Sequence, residues 1–222
     1  SNDIRKIADS LKEFDVIFCS SIVGTNFALY LKKYLKCPVI TQILDVPRFR
    51  FKYHFYQEEW SIYINQVEKA DFIIVNTQPC FDILSGLFKG QQDHKVKKIY
   101  YGINTEIPDK IPTQNLKYEI VVINRIVSHK APDKLIYVLA KLKQWGITPK
   151  VVVIGDDNYA DKKALMQLID LAHFAKVQDQ IEFMGAIDDY KKFETIKQSR
   201  LMYVTDICEE IGSLVGTEGL YC

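Results

Sequence analysis

Short runs of aliphatic residues alternate with stretches of helical periodicity along most of the chain. Uninterrupted apolar runs of this kind are typical of parallel strands whose two faces are covered by helices. The first part of the chain therefore predicts a series of β–α units. Its predicted strands are Asp15–Cys19, Pro38–Leu44, Phe72–Val75 and Val96–Tyr101, and its predicted helices are Phe27–Lys36, Ser61–Ala70 and Phe81–Phe88.

The alternation stops in the segment Asn104–Lys117, which holds two prolines among polar residues. Proline lacks a backbone donor and fixes φ, so this segment does not suit the interior of a strand or helix. We interpret it as a boundary between domains. The predicted organisation is a first domain over residues 1–107, a linker over 108–117 and a second domain over 118–222.

The alternation returns after the linker. The predicted strands are Glu119–Ile123, Lys150–Ile154, Ile181–Met184 and Leu201–Val204, and the predicted helices are Asp133–Trp145, Asp161–Lys176, Tyr190–Gln198 and Ser213–Cys222. The sequence therefore predicts an α/β fold with two doubly wound, Rossmann-like halves, each with a parallel sheet. Ligands of such folds bind beyond the carboxyl ends of the strands, so we expect the site in the cleft between the halves.

The composition excludes several classes of protein. The 222 residues carry a net charge of +1, which gives no global attraction for nucleic acid or an anionic membrane. The sequence has no apolar run of membrane-spanning length and no GxGxxG or GxxxxGK[ST] motif. Its five cysteines include no CxxC pair, which favours reduced thiols in the cytoplasm. Its histidines show no metal-ligand spacing.

Two cations follow the predicted strand Glu119–Ile123. Asn124-Arg125 directly follows the strand, and Lys130 comes just before a predicted helix. Such a pair suits a diphosphate, because arginine binds phosphate oxygens bidentately, lysine adds a mobile charge and the helix N-terminus adds a partial positive charge. The alternative is a solvated basic loop, and composition alone favours that alternative.

The last predicted strand leads into a segment rich in glycine and glutamate, residues 205–222. Glu209 and Glu210 lie in its loop, and Glu218 lies in the helix that follows. Carboxylates accept hydrogen bonds from sugar hydroxyls, and glycines near the helix start let backbone amides approach a phosphate. The alternative is a helix whose acidic residues offset its N-terminal dipole, and the segment alone slightly favours it.

Gly155 ends the strand Lys150–Ile154 and is followed by Asp156 and Asp157. Glycine at this position permits a sharp turn or a close approach to a ligand. The two carboxylates could bind a metal through oxygen, but capping of the following helix is the favoured interpretation.

Taken together, these features resemble glycosyltransferase family four, the retaining enzymes of the GT-B fold. Asn124-Arg125 and Lys130 resemble that family's "GR…K" donor loop, and Glu210 and Glu218, with seven residues between them, resemble its E-x7-E motif. Further matches follow the family's order along nearly the whole chain, at Asp71–Thr77, Tyr101–Asn104, Val153–Asp156 and Phe183–Gly185. The resemblance implies a GT-B fold with both halves incomplete, and we expect that the 222 residues alone do not turn over a donor.

The resemblance implies three catalytic residues. Arg125 and Lys130 would neutralise the donor diphosphate and the charge that grows on it as it leaves. Glu210 would hold the hydroxyls of the transferred sugar. In this family basic residues do the work of a metal, so the resemblance implies a nucleotide diphosphate sugar as co-substrate and no metal ion.

The resemblance also implies residues that bind the donor. Glu218 would hold the ribose hydroxyls, and the backbone at Gly185 and Ala186 would approach the base. The remaining donor-binding candidates are Glu209, Gly212 and Ser213.

The sequence departs from the family's pattern at three places. Asn124 replaces a glycine, Leu44 stands where many members have a histidine, and the acidic loop has one extra residue. Because of that residue, Glu209 fits the local motif whereas Glu210 fits the spacing. Only one of them can take the first carboxylate position, and the spacing favours Glu210.

The stretch Pro47–Tyr56 interleaves basic and aromatic residues. Such a stretch can stack on nucleic-acid bases, contact a membrane interface or form a platform for an acceptor sugar. The balanced charge of the chain argues against nucleic acid, and a partly buried aromatic loop is equally compatible with the pattern. We expect a cytoplasmic protein in which this stretch contacts either the acceptor or the inner face of the membrane.

The leading hypothesis is a retaining glycosyltransferase that moves a sugar from a nucleotide diphosphate donor to a glycan, a lipid or a small molecule. One alternative is a sugar-nucleotide 2-epimerase of the same architecture, against which the two motifs and their spacing argue. The other is a catalytically silent relative that binds a nucleotide sugar or a protein partner. The absent histidine and the extra loop residue give weight to this last alternative.

Overall fold

The computed structural model describes residues 2–44, 64–88, 95–113, 115–127, 130–157, 163–205 and 213–222. By its internal contacts the chain divides between Tyr101 and Gly102 into two units. Each unit contains a four-stranded sheet in which every pair of neighbouring strands is parallel. The predicted α/β fold with two parallel sheets is thereby confirmed.

The first unit is a succession of β–α repeats. Its described elements are α1 (Asn2–Ser10), β1 (Ile17–Cys19), α2 (Thr25–Leu35), β2 (Val39–Ile43), β3 (Phe72–Val75), α3 (Gln78–Leu87) and β4 (Val96–Lys98). The sheet order is β1-β2-β3-β4. Val39, Ile43, Ile73 and Val75 of the central strands are fully buried and share one core with Leu84 of α3.

Asp71, directly before β3, joins three elements of the first unit. Its Oδ2 accepts a hydrogen bond from the Val39 amide at 2.7 Å, and both carboxylate oxygens lie 2.6 Å from Lys32 Nζ on α2. Burial raises the pKa of Asp71, but the hydrogen bonds from Lys32 and Val39 and the nearby lysine charges outweigh it. The pKa of Asp71 is therefore lowered.

The second unit repeats the same arrangement. Its described elements are β5 (Tyr118–Ile123), α4 (Asp133–Gln144), β6 (Val151–Ile154), α5 (Ala164–Phe174), β7 (Ile181–Gly185), α6 (Asp189–Lys197), β8 (Ser199–Met202) and α7 (Leu214–Tyr221). The sheet order is β7-β6-β5-β8.

The sequence of β6 shows no alternation of polar and apolar residues, because both faces of the strand are buried. All four of its residues are buried. Val151 and Val153 pack with Leu135 of α4 in one core, whereas Val152 and Ile154 pack in a second core. Because successive side chains point to opposite faces of a sheet, both faces of β6 are apolar and covered.

The segment with the two prolines packs on the second unit. Pro108–Lys110 forms a 3₁₀ turn, and Ile111, only 2% exposed, shares a core with Phe193 and Ile196 of α6. Lys197 Nζ donates to the backbone carbonyls of Pro108 and Ile111 at 2.6 Å each. The chain thus divides a few residues before the segment 108–117 that the sequence suggests as a linker.

Several element boundaries differ from the sequence prediction, and two of the differences have identifiable reasons. Helix α3 begins at Gln78 rather than Phe81, because the Thr77 side chain caps it by accepting a hydrogen bond from the Cys80 amide and a proline follows in its first turn. Strand β8 begins at Ser199, which pairs with Tyr118 of β5.

The described helices are all too short or too polar to cross a membrane. Within the described ranges Cys19, Cys37 and Cys80 are buried cysteines and Cys222 is an exposed one, and none of them forms a disulfide. Burial raises the pKa of the Cys19 thiol, and partial loss of solvent around its sulfur raises the pKa of Cys222.

Candidate functional site

The carboxyl ends of β5 to β8 lie at one edge of the second sheet, because these strands are parallel. Asn124, Gly155, Ala186 and Tyr203 are the first residues after the four strands. With β6 and β5 at the centre of the sheet, the loops after these strands are neighbours. This edge is where a doubly wound unit binds its ligands.

Backbone hydrogen bonds join three of these loops. The Asn124 amide donates to the Ile154 carbonyl at 3.0 Å, and the Ile126 amide donates to the Asp156 carbonyl at 2.8 Å. On the opposite side of β6, towards β7, the Gly155 amide donates to the Gly185 carbonyl at 2.8 Å. The loops after β5, β6 and β7 therefore form one connected backbone surface.

Gly155 makes this connection possible. Its φ is +133°, and a Cβ built on it would lie 1.9 Å from the carbonyl oxygen of Asn124. No side chain fits at that distance. The predicted close approach at Gly155 is therefore an approach to the backbone of the neighbouring loop.

The loop after β5 carries the two predicted cations. Arg125 is exposed, and its guanidinium forms no hydrogen bond or ion pair within the described ranges, whereas Lys130 is half-buried. Between them, Ile126 is 1% and Val127 8% exposed. The buried pair anchors the loop, so the exposed arginine projects from a fixed backbone.

A buried hydroxyl fixes the far end of the same loop. Thr205, which follows β8 and is 3% exposed, donates through Oγ1 to the backbone carbonyl of Lys130 at 2.7 Å. The hydrogen bond connects the loops after β5 and β8. Both backbone groups of Lys130 are therefore fixed. Its amide donates to the Val127 carbonyl, and its carbonyl accepts from Thr205.

Glu218 lies in α7 and is 9% exposed. Its Oε1 accepts a hydrogen bond from Lys192 Nζ of α6 at 2.9 Å, and Lys192 also contacts Asp189 at 3.0 Å. Burial lowers the pKa of Lys192, but the hydrogen bonds and charges of the two carboxylates outweigh it, so the pKa of Lys192 is raised. Glu218 is thus a buried carboxylate whose ammonium partner is stabilised in its charged form.

Helix α7 is held tightly against β8. Ser213 caps it, because its Oγ accepts the Gly216 amide at 3.0 Å. A Cβ at Gly219 would lie 2.5 Å from Met202 Sδ, so the helix packs close to the end of β8. Ser213 lies at the helix start as predicted, and its hydroxyl oxygen already serves the cap.

The turn after β7 is open. Gly185 has φ +69°, and a Cβ on it would meet no atom within 4 Å. Ala186, the next residue, is exposed. The backbone at these two residues is accessible from solvent at the carboxyl edge of the sheet.

Asp157 caps the following helix. It is 9% exposed, and its Oδ2 accepts the Leu165 amide in the first turn of α5 at 3.1 Å. Within the described ranges, no group of three histidine, cysteine, aspartate or glutamate residues is arranged to hold a metal ion. The hydrogen bond from the Leu165 amide is what confirms the capping interpretation for Asp157.

Some of the sequence-predicted residues lie outside the described ranges. They are Glu209, Glu210, Gly212 and the stretch Pro47–Tyr56. The loop after β5 carries Arg125 and Lys130. Gly185 is the last residue of β7, and Ala186 follows it. Ser213 and Glu218 belong to the helix after β8.

The structure adds two residues to the site that sequence patterns do not single out. Lys192 is one of two adjacent lysines on a polar helix, and Thr205 is one of nine threonines in the sequence. Their partners at the site, Glu218 and the Lys130 carbonyl, lie far from them in sequence. Only the packing of α6 against α7, and of β8 beside β5, brings them to Glu218 and Lys130.

Comparison with known proteins gives a family match over the second unit. Residues 103–222, more than half of the chain, match the family model described as glycosyl transferases group 1. No curated protein matches the chain in sequence.

Solved structures share the fold. HepE from Anabaena, solved in complex with UDP, is 17% identical with a TM-score of 0.78, and the match covers 99% of this chain and 60% of HepE. Sucrose-phosphate synthase from Thermosynechococcus elongatus is 15% identical with a TM-score of 0.73, and the match covers 100% of this chain and 59% of the synthase. A glycosyltransferase from Rickettsia africae is 19% identical with a TM-score of 0.64, covering 90% of this chain and 54% of its own. The chain thus has the GT-B type of fold and spans about 60% of the length of HepE.

Proposed function

The chain belongs to the glycosyl transferases group 1 family, and we propose that it acts as a retaining glycosyltransferase of family four that uses a nucleoside diphosphate sugar. The observation that carries the proposal is the loop after β5. It holds an exposed arginine and a half-buried lysine on a backbone fixed to its neighbours, at the ligand-binding edge of the sheet.

Arg125 and Lys130 are proposed to bind the donor diphosphate. The guanidinium of Arg125 can take two phosphate oxygens at once, and Lys130 adds a second positive charge. When the bond from the anomeric carbon to the diphosphate breaks, the electron pair and its negative charge go to the leaving phosphate. Cations already in place stabilise that charge without reorganisation, so we propose that no metal ion is needed.

The acceptor hydroxyl is proposed to attack from the face that the diphosphate leaves. The new bond joins the acceptor oxygen to the anomeric carbon, and the acceptor proton passes to an oxygen of the leaving diphosphate. The configuration at the anomeric carbon is then retained. In this proposal Glu210 orients the transferred sugar, and Glu209 is the alternative carboxylate.

The nucleoside is proposed to lie between β7 and α7. The accessible backbone at Gly185 and Ala186 suits a base, and Glu218 is a hydrogen-bond acceptor for ribose hydroxyls. Gly212 and Ser213 are proposed to approach the phosphates at the start of α7. Because HepE is solved with UDP and with UDP-glucose, UDP is the first nucleotide to test.

The proposal is tested by titrating the protein with UDP, GDP and ADP in a calorimeter. We expect one of them to bind, and Arg125→Ala to weaken that binding about 10- to 100-fold, the loss expected for hydrogen bonds to a charged group. Arg200→Ala is the matched control, because Arg200 is also exposed but lies near the amino end of β8. Equal affinity of wild type and Arg125→Ala would refute the proposed diphosphate site.

Binding alone does not separate an enzyme from a silent relative. Incubation of the protein with the sugar form of the nucleotide that binds, followed by chromatography, measures release of the nucleoside diphosphate. Release that stops in Arg125→Ala and continues in Arg200→Ala supports transfer chemistry. Binding without release supports the silent relative, and conversion of the sugar while it stays on the nucleotide supports the 2-epimerase.

A further inference from the structure

Lys192 and Glu218 form a well-buried ion pair between α6 and α7. The side chains are 17% and 12% exposed, and Lys192 Nζ lies 2.9 Å from Glu218 Oε1. Asp189, one turn earlier on α6, supplies a second carboxylate 3.0 Å from the same ammonium group, but its side chain is 66% exposed. The ammonium group therefore has one buried and one solvated partner.

Stability alone is a poor explanation for such a pair. Removing two charges from water costs about as much as their attraction returns, and a well-packed apolar pair of similar volume is often as stable. What the pair does provide is geometry. Lys192 determines where one oxygen of Glu218 lies, and the close packing of Gly219 on Met202 determines where the helix backbone lies.

We propose that Lys192 is a positioning residue for the nucleoside: it holds the carboxylate of Glu218 in the one orientation that accepts hydrogen bonds from both the 2′- and the 3′-hydroxyl of ribose. This inference rests on the proposed role of Glu218 as the ribose ligand. A carboxylate that swings between rotamers would lose rotamer freedom on binding, whereas one already held by Lys192 would not. Lys192 acts through Glu218 and need not contact the ribose.

The test compares UDP with 2′,3′-dideoxy-UDP, which lacks both hydroxyls, by calorimetry on wild-type protein and variants. The measured quantity is the ratio of the two affinities. We expect Glu218→Gln to lower this preference for ribose about tenfold. Lys192→Met should lower it by a similar factor and leave the affinity for 2′,3′-dideoxy-UDP unchanged. Lys192→Arg should restore most of the preference.

Lys191→Met is the matched control. Lys191 is the neighbouring residue on α6, its side chain is 46% exposed, and it pairs with Glu194 rather than Glu218. We expect this variant to keep the wild-type preference. If Lys192→Met leaves too little folded protein, the double variant Lys192→Met/Glu218→Gln removes both charges of the pair. It should show the same preference as Glu218→Gln alone, because Lys192 has no effect without its partner.

The outcomes separate this inference from the proposed function. If Glu218→Gln keeps the full preference for ribose, the proposed role of Glu218 fails and the inference fails with it. If Glu218→Gln loses the preference but Lys192→Met keeps it, only the inference is overturned. Equal weakening of both nucleotides by Lys192→Met would also overturn it, because a merely structural role predicts that result.

Discussion

Gly155 shows how one residue without a side chain shapes the candidate site. The Cβ position of residue 155 is filled by the carbonyl of Asn124, and the φ of +133° lies in the region that only glycine adopts without strain. The backbone after β6 can therefore approach the loop that carries Arg125, and the two loops share hydrogen bonds. The position of the cation depends on this contact.

We predict that Gly155→Ala lowers the free energy of unfolding by about 3 kcal/mol or more, since it combines a positive-φ penalty with a steric overlap against backbone. Urea unfolding followed by circular dichroism measures the change. Gly102→Ala is the control, because a Cβ at Gly102 meets no atom within 4 Å and its φ is not positive. Similar midpoints for both variants would contradict the close approach at Gly155.

The sequence identifies some site residues better than others, and the reason is local. Gly155 directly follows β6 and Arg125 is the second residue after β5, and apolar runs reveal both strands. Their place at the ligand-binding edge therefore follows from the strand pattern. The partner of Gly155, the Asn124 carbonyl, lies on another strand's loop. The ion pair of Lys192 with Glu218 likewise depends on how two helices pack, which no periodicity encodes.

At the scale of elements, a few polar side chains connect neighbouring helices and strands to each other. Asp71 is the clearest case in the first unit, because one carboxylate joins α2, β2 and the start of β3. Hydrophobic patterning predicts these three elements but not what fixes them to each other. Polar residues at strand ends look alike in sequence whether they face solvent or a buried amide.

We predict that Asp71→Asn costs about 1 kcal/mol of stability near pH 6, a modest value because the side chains of Asp71 and Lys32 are each 34% exposed. The pKa of Asp71 is lowered in the folded protein, so the unfolded state binds its proton more readily. This contribution is fully present above the unfolded pKa, about 3.9, and is lost as the pH falls through the folded pKa.

The measurement is the free energy of unfolding of wild type and Asp71→Asn between pH 6 and the acid limit of folding. The difference between them should shrink on acidification. Asp9→Asn is the control, because Asp9 pairs with Lys12 on the surface with side chains 63% and 68% exposed, and such pairs contribute little. A difference that stays constant with pH would show that the charge of Asp71 is not what joins the elements.

At the scale of the whole molecule, apolar periodicity is enough to predict two halves, because each half has its own run of strands and its own buried core. The prolines of the segment 104–117 suggest a linker, since they rule out a helix or strand interior. Isolated apolar residues in such a segment have no period to reveal that they are buried. Ile111 is one of them, and it is 2% exposed.

The packing of Ile111 leads to a prediction about where the second unit begins. A polypeptide of residues 102–222 keeps Ile111 in the core with Phe193 and Ile196, and keeps the two carbonyls that accept from Lys197. A polypeptide of residues 118–222 exposes that apolar surface and leaves the ammonium group of Lys197 without those acceptors. Burying one such isoleucine contributes about 2–5 kcal/mol, a large part of the stability of a small domain.

We therefore expect the 102–222 polypeptide to unfold cooperatively in urea and the 118–222 polypeptide to unfold at a much lower concentration or without a cooperative transition, both followed by circular dichroism. Ile111→Ala in the longer polypeptide should fall between them, because it removes the apolar contact but keeps the carbonyls that bind Lys197. Equal midpoints for the two polypeptides would mean that residues 102–117 contribute nothing to the second unit, as a true linker would. A low midpoint for the shorter one would place the start of the unit near Gly102, where the division by contacts lies.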